Sequence, residues 1–317
     1  MALGEFELIE RFFSRPSRRR DVLLGVGDAA ALLEVPPGRA LVAATDTLVE
    51  GRHFLAGTPP ESIGHQALAV NLSDLAAMGA EPAWALLSLS LPEVRESWLE
   101  RFAAGLYALA DAHGVDLVGG DTVRGPLVVT IEALGFVEPA LALRRSSAQP
   151  GDLVYVSGWP GEAAAGLAAL QRGASSAADD PLVRRFLYAE PRLALGKGLG
   201  GRASAAMDVS DGLLGDLGKL CRASGLGARL DLDSLPVSAE LARRHERDAC
   251  ERFVLAGGDD YELLFTVSPD RAEQLEADLR PLCPLTRIGQ IESGDGVRCL
   301  REGLETAVRG EGYDHFA

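Results

Sequence analysis

Five times in this chain an apolar run stops at a short segment that carries Asp beside Gly, Ser or Thr. The segments are Thr45-Asp46-Thr47, Asn71-Leu72-Ser73-Asp74, Gly119-Gly120-Asp121-Thr122, Asp208-Val209-Ser210-Asp211-Gly212 and Gly257-Gly258-Asp259-Asp260. Apolar strands that each end in a carboxylate, with helical patterns between them, predict an α/β (α+β) chain of mixed sheets covered by helices. A carboxylate at a strand end, beside residues that let backbone approach closely, suits a hard cation. Mg²⁺ takes oxygen ligands, keeps several waters and shares its shell with substrate phosphates. Five such segments exceed what one structural ion needs and point to several metal ions neutralising a polyphosphate.

The chain has 317 residues, more than one average domain, so two domains sharing a cleft are expected. Its formal net charge of −15 argues against nucleic-acid backbones and anionic membranes as partners. Phosphate binding must then rely on metals, backbone N–H groups and a few chosen cations. Lys197 and Lys219 are the only lysines, and no G-x-x-x-x-G-K-[ST] run occurs, which excludes a Walker-type phosphate loop. The four cysteines are widely spaced and suggest neither a zinc site nor a disulfide framework. The first residues lack a basic stretch followed by a long apolar run, and no segment has the apolar length of a spanning helix. A cytoplasmic protein is expected.

Along the chain, a buried strand is expected over 41–45, ending at Asp46, and a helix over 63–78, closed by Gly79. A strand with one polar face follows over 84–91. Ser97 and Glu100 have the spacing of a capping box at the head of a helix that Gly114 stops. Strands over 115–118 and 127–137 would flank a tight turn at Gly119-Gly120-Asp121. The polar stretch 144–152, with Pro150-Gly151, places a domain boundary there, giving domains 1–143 and 144–317. The second half reads as a strand at 153–157, a small-residue helix at 161–172, a strand at 205–209 and a helix at 211–224. Strands over 261–267, 285–291 and 297–300 complete its sheet.

Each Asp also has a plainer reading. Asp211 could cap the helix that begins beside it. Asp74 could face solvent, yet it sits among Ala, Val and Leu, where an ionised carboxylate is costly unless paired or metal-bound. The paired glycines before Asp121 could serve a turn, or could expose N–H groups to phosphate oxygens. His53 reads as a loop residue near Asp46, and Tyr313 lies in an aromatic terminus that suggests docking.

In order, the motifs are GEFELI (4–9), GVGD (25–28), ATDTLVEGRHF (44–54), NLSDLAAMGAEP (71–82), GGDT (119–122), RSSAQPGD (145–152), DVSDGL (208–213), GGDDYELLF (257–265) and GYDHF (312–316). Taken together they resemble bacterial thiamine-monophosphate kinase, of the aminoimidazole-ribonucleotide-synthetase-like ATP-binding superfamily. The resemblance implies a two-domain fold: an N-terminal ATP/metal-binding domain whose sheet pairs with its copy in a homodimer, and a C-terminal α/β domain completing a cleft. It implies Mg²⁺-dependent transfer of the ATP γ-phosphoryl group to thiamine monophosphate, giving thiamine diphosphate and ADP.

Carried over, Thr45, Asp46, Asp74, Asp121, Asp208 and Asp211 would be metal ligands, with Asp46, Asp121 and Asp208 central to catalysis. Gly120, Asp121, Arg145 and Ser210 would contact the nucleotide, and His53, Asp259 and Tyr313 the acceptor. Three departures stand out. Ala29, preceded by Asp28, replaces the second Asp of a Gly-Asp-Asp pattern; Asp259 replaces a Glu; and Gln149 replaces a Lys. Alternatives are a non-catalytic Mg²⁺- and nucleotide-binding protein of the same fold, suggested by Ala29, and aminoimidazole ribonucleotide synthetase, whose motifs match less well.

Overall fold

The structure, a computed structural model, describes residues 4–174 and 179–308. Tyr313 lies outside the described residues. The chain divides into two compact units, one up to Leu75 together with Ala80–Pro139, the other Ala76–Gly79 together with the chain from Ala140.

The first unit contains α1 (Glu5–Phe13), the short pair β1 (Val22–Leu24) and β2 (Leu32–Leu33), β3 (Ala40–Val49), α2 (Pro60–Ala77), β4 (Glu81–Leu91), α3 (Glu96–His113), β5 (Asp116–Arg124) and β6 (Val128–Val137). Four strands form a sheet in the order β3-β6-β4-β5. The β4–β5 pair is parallel and the other two are antiparallel, because α3 carries the chain back to the same end of the sheet. Buried Leu48, Ile131, Leu87 and Leu89 on the strands match buried Leu68, Leu72, Leu99 and Phe102 on α2 and α3. The two helices meet closely through glycines. A Cβ on Gly64 would lie 2.1 Å from the Phe102 carbonyl oxygen, and one on Gly105 would lie 1.8 Å from that of Glu61.

Several local expectations change here. The strand expected over 41–45 runs on to Val49 as an edge strand, so Thr45 and Asp46 sit within it. Its odd-numbered residues from Leu41 to Thr47 are exposed, the period-two pattern of a strand with one covered face. No turn forms at Gly119-Gly120-Asp121; these residues lie inside β5, paired with Leu86, Leu87 and Ser88. Gly120 has φ 151°, and a Cβ there would lie 1.8 Å from the Leu87 carbonyl oxygen. The glycine is required by close strand approach. The capping box is also absent: α3 starts at Glu96 after Arg95 with no side-chain cap. Ser97 falls inside the first turn, and Glu100 is taken by Arg11 at 3.3 Å. Gly114 ends the helix in the left-handed conformation, as its position predicts.

The second unit contains β7 (Leu153–Ser157), α4 (Glu162–Gln171), α5 (Pro181–Leu187), α6 (Leu193–Leu199), β8 (Ala205–Val209), α7 (Leu213–Ser224) and β9 (Gly227–Asp231). It continues with α8 (Ala239–Arg244), α9 (Arg247–Ala256), β10 (Glu262–Val267), α10 (Pro269–Leu279), β11 (Leu285–Glu292), β12 (Gly296–Arg301) and β13 (Leu304–Glu305). Its seven strands run β13-β12-β9-β11-β7-β10-β8 and are antiparallel except for β9–β12. Every residue of β7, β8 and β10 is buried. Leu213, Leu217 and Leu220 of α7 and Val254 of α9 join Val156, Met207 and Leu264 in one core. All four cysteines are buried free thiols.

Candidate functional site

Within the first unit a cavity of about 930 Å³ opens between the 25–31 loop and the middle of β5. Its lining combines Gly25-Val26-Gly27-Asp28 and Gly119-Gly120-Asp121 with apolar Phe6, Ile9 and Phe13 of α1, Leu33 and Leu86. The 25–31 loop turns at Gly27, whose φ is 116°. Asp28 then folds its carboxylate back to accept the Ala29 N–H at 2.7 Å. Ala29 also lines the cavity, so Asp28 is the carboxylate this loop supplies.

Asp121 is exposed, and the register aligns it with Ser88, Thr130 and Thr47 in one row across the open face of the sheet. The Thr47 and Thr130 hydroxyls of that row meet at 2.8 Å. Asp46 belongs to the opposite face, in a row with Ile131, Leu87 and Gly120, and is half-buried. β3 and β5 are the two edges of the sheet, so three strand spacings of ~4.8 Å put Asp46 and Asp121 about 14 Å apart. One chain therefore cannot bring both to the same ion.

The other expected residues of this unit are engaged locally. The Thr45 hydroxyl donates to the Ile131 carbonyl at 3.2 Å. His53 Nδ1 accepts the Val49 N–H at 3.0 Å, which leaves Nε2 as the proton-bearing nitrogen of the neutral ring. Asp74 is half-buried on α2, one turn beyond buried Asn71. Asn71 donates to the Ala67 carbonyl at 2.9 Å, while its buried Oδ1 has no hydrogen-bond partner among the described residues.

The second unit gathers another acidic group where β8 ends. Asp208 is buried within the strand and paired in register with Leu263. Asp216, fully buried in the first turns of α7, accepts the N–H groups of Ser210 at 3.0 Å and Asp211 at 2.9 Å. Asp211 does not cap the helix; its carboxylate is paired with Lys219, which also reaches Asp216 at 2.8 Å. Burial pushes the Asp216 carboxyl up, with Lys219 pulling the other way. Burial alone would depress Lys219, but hydrogen bonds to Asp211 and Asp216 outweigh it and raise its pKa. Arg145 is exposed, and its carbonyl accepts the Ser224 hydroxyl at 2.9 Å.

The Gly257–Glu262 segment lies against this group. The Asp259 N–H donates to the Ser210 carbonyl and the Tyr261 N–H to that of Val209, both at 2.9 Å. A Cβ on Gly258 would lie 2.4 Å from the Ser210 oxygen, so the close approach requires glycine. Asp259 and Tyr261 both adopt left-handed backbone, φ 62° and 52°, which costs a non-glycine residue about 1–3 kcal/mol each. Burial drives the Asp259 carboxyl up to about 6; the Tyr261 hydroxyl opposes this and the charge of Asp211 adds to it.

Asp260 is buried and serves α4, accepting the Gly161 N–H at 2.8 Å; burial pushes its carboxyl well up. Glu262, fully buried, takes Arg192 through two bonds, Nε at 2.7 Å and Nη2 at 2.6 Å, and also pairs with Arg185 and Ser157. Burial would raise Glu262, but the two guanidiniums and the serine hydroxyl hold it low.

Sequence reasoning missed Asp216, Lys219 and the Glu262–Arg185–Arg192 cluster. The scarcity of lysine was a usable signal for Lys219; nothing in the spacing joins Arg185 or Arg192 to Glu262. Among the described residues no three His, Cys, Asp or Glu side chains form a ready metal cage. A Mg²⁺ that arrives with a nucleotide needs one or two carboxylates, phosphate oxygens and water. Asp28 and Asp121, which both line the cavity, match that demand in residue type.

The family model described as AIR synthase related protein, N-terminal domain, matches residues 27–137, and its C-terminal counterpart matches 149–300. The chain is similar to thiamine-monophosphate kinase of Escherichia coli strain K12, 48% identical with 100% of this chain and 99% of that protein covered. A crystal structure of thiamine-monophosphate kinase from Stenotrophomonas maltophilia K279a is 48% identical, with TM-score 0.87, covering 94% of this chain and 97% of that one. A third relative, AaThiL complexed with AMPPCP and TMP, is 33% identical, with TM-score 0.79 and 89% of each chain covered. With the two-unit mixed α/β fold, the Gly-Asp cavity and this full-length similarity together, the chain belongs to the thiamine-monophosphate kinase family of AIR synthase related proteins.

Proposed function

We propose that this chain transfers the γ-phosphoryl group of ATP to thiamine monophosphate, giving thiamine diphosphate and ADP, with Mg²⁺ carried by the nucleotide. The observation that carries the reading is the cavity of about 930 Å³ lined by both Gly119-Gly120-Asp121 and Asp28, in a chain 33% identical to a relative complexed with AMPPCP and TMP.

The chemistry suits these residues. The acceptor is a phosphate monoester with a second pKa near 6, so it is largely ionised at neutral pH and needs no general base. The barrier is the approach of one anion to another. Catalysis then consists of positioning and charge neutralisation, with Mg²⁺ supplying the largest local positive charge. Asp121 and Asp28 would hold the nucleotide's metal, and the open backbone of Gly120 would let phosphate oxygens approach. Asp46, Asp74 and Asp208 would hold further ions, with Arg145 and Ser210 on the nucleotide. Asp259, His53 and Tyr313 would contact the acceptor, whose thiazolium ring is cationic and suits a carboxylate.

The open face of the first unit's sheet supports a homodimer: Leu41 and Val123 are 49% and 50% exposed on it, and a second copy would cover them. No helix among the described residues is long and apolar enough to cross a membrane, and we place the reaction in the cytoplasm, where ATP is abundant. The test is a product assay. Thiamine diphosphate and ADP should form only when ATP, thiamine monophosphate and a divalent ion are all present. Turnover of a different phosphorylated acceptor in place of thiamine monophosphate contradicts the assignment.

A further inference from the structure

Asp259 is one of three carboxylates between residues 259 and 262, and the other two are fully occupied. Asp260 is spent on the N-terminus of α4, and Glu262 on Ser157, Arg185 and Arg192. The Asp259 carboxylate has a different partner: Tyr261 Oη donates to its Oδ1 at 3.2 Å, across two residues that both hold left-handed backbone. Tyr261 is itself only 8% exposed, so its ring cannot swing away without breaking the packing around it. On both sides of it the chain is held by arginine. Arg185 donates to the Asp260 carbonyl at 3.4 Å as well as to Glu262, and Arg192 grips Glu262 with two nitrogens of its guanidinium. A bidentate fork fixes direction as well as distance. Gly158 leaves room for this arrangement, since a Cβ there would lie 2.0 Å from Glu262 Oε1.

We propose that Tyr261 is a positioning residue for the reaction: its hydroxyl aims the Asp259 carboxylate at the acceptor, and the Glu262–Arg185–Arg192 cluster fixes Tyr261 in place. This rests on the reading of Asp259 as an acceptor contact. A carboxylate that recognises a cationic ring must be held in one direction, and a short Asp side chain has less reach than Glu to adjust. The strained backbone at 259 and 261 is what brings the phenol and the carboxylate of near neighbours face to face.

The test is steady-state kinetics on Tyr261→Phe, Asp259→Asn, the double variant and Arg192→Lys. Tyr261→Phe removes one oxygen and should raise KM for thiamine monophosphate about tenfold or more, the low end of what one lost hydrogen bond to a charged group costs. KM for ATP should stay unchanged. In an Asp259→Asn background the added Tyr261→Phe change should have no further effect, because the aimed carboxylate is already gone. Arg192→Lys, which keeps the charge but loses the fork, should raise KM for the acceptor selectively too. A Tyr261→Phe protein with unchanged acceptor KM, or with both KM values raised equally, overturns the positioning role. So does a full Tyr261→Phe effect persisting in the Asp259→Asn background. If Asp259→Asn alone leaves acceptor KM untouched, it is the acceptor reading of Asp259 that fails, and the positioning role falls with it.

Discussion

Asp46 and Asp121 stand on opposite edges and opposite faces of one four-stranded sheet. Two carboxylates that the resemblance makes metal ligands are thus separated by about three strand spacings, roughly 14 Å. Under the proposed function, a single chain would use them on different ions or on different parts of a bound polyphosphate. Asp121 lines the same cavity as Asp28 and Gly120, so under the proposed function its substitution bears most directly on the nucleotide.

Asp121→Asn should lower kcat by about 10²- to 10³-fold, the several kcal/mol that loss of a correctly held metal removes. It should also raise the Mg²⁺ concentration needed for half-maximal activity. Because Asp121 is exposed, its unfolding transition should match the parent protein's. Steady-state kinetics with a Mg²⁺ titration checks this, and a near-normal kcat would show that Asp121 is only a strand residue.

Gly120→Ala tests the strand that carries Asp121. The added methyl would meet the Leu87 carbonyl oxygen at 1.8 Å, in a backbone conformation with φ 151°. A destabilisation of about 2–4 kcal/mol is expected. Gly119→Ala is the control: its Cβ would meet only the end of the Leu86 side chain, at 3.0 Å, and should cost less than about 1 kcal/mol. Urea unfolding of the two variants gives the comparison.

Much of this fold is legible in the residues, and its misreadings have physical causes. A glycine pair announces that something comes close, yet turns and tightly paired strands make the same demand. The sequence around Gly119-Gly120 cannot separate them without knowing where Leu87 lies. The alternation Ala44-Thr45-Asp46-Thr47-Leu48 carries the period of an edge strand and could have extended β3 to its full length. β9, Gly227–Asp231, opens on glycine and carries exposed Arg229 and Asp231, so it lacks the mostly apolar run that marks the equally short β7 and β8. The Asp211–Lys219 pair spans a turn and two turns of helix, and the Glu262 cluster joins residues 70 and more apart; only the folded chain creates such contacts.

Asp259 gives a pH dependence with a definite sign. Its folded-state value of about 6 lies above the ordinary carboxyl value of 3.8. Between these pH values the unfolded chain releases a proton that the folded chain keeps, so the contribution of Asp259 to stability falls as pH rises from about 4 to about 6. Above pH 6 the deficit is constant. Asp259→Asn should therefore stabilise the protein at pH 7.5, by about 1–3 kcal/mol, and leave it unchanged near pH 3.5. Denaturant melts at the two pH values provide the check; equal effects at both would contradict it.

Lys219→Met leaves fully buried Asp216 without its cation and separates Asp211 from its partner. Breaking such a pair costs up to about 3–5 kcal/mol when buried, and less here because the lysine side chain is 32% exposed. A loss of about 1–3 kcal/mol is expected. The loss should be greater at pH 8 than at pH 5, because protonation relieves a buried carboxylate that has lost its partner. Thermal unfolding at both pH values tests this.

Direct transfer from ATP to thiamine monophosphate fixes a one-to-one stoichiometry of ADP and thiamine diphosphate. The measurement is simultaneous quantitation of ADP and thiamine diphosphate as thiamine monophosphate is titrated in Mg²⁺, with a parallel reaction in excess chelator. One ADP should appear for each thiamine diphosphate, with ADP release rising from near zero as the acceptor is added and falling to background in chelator. ADP release that ignores thiamine monophosphate, or thiamine diphosphate formed without equal ADP, would contradict the account.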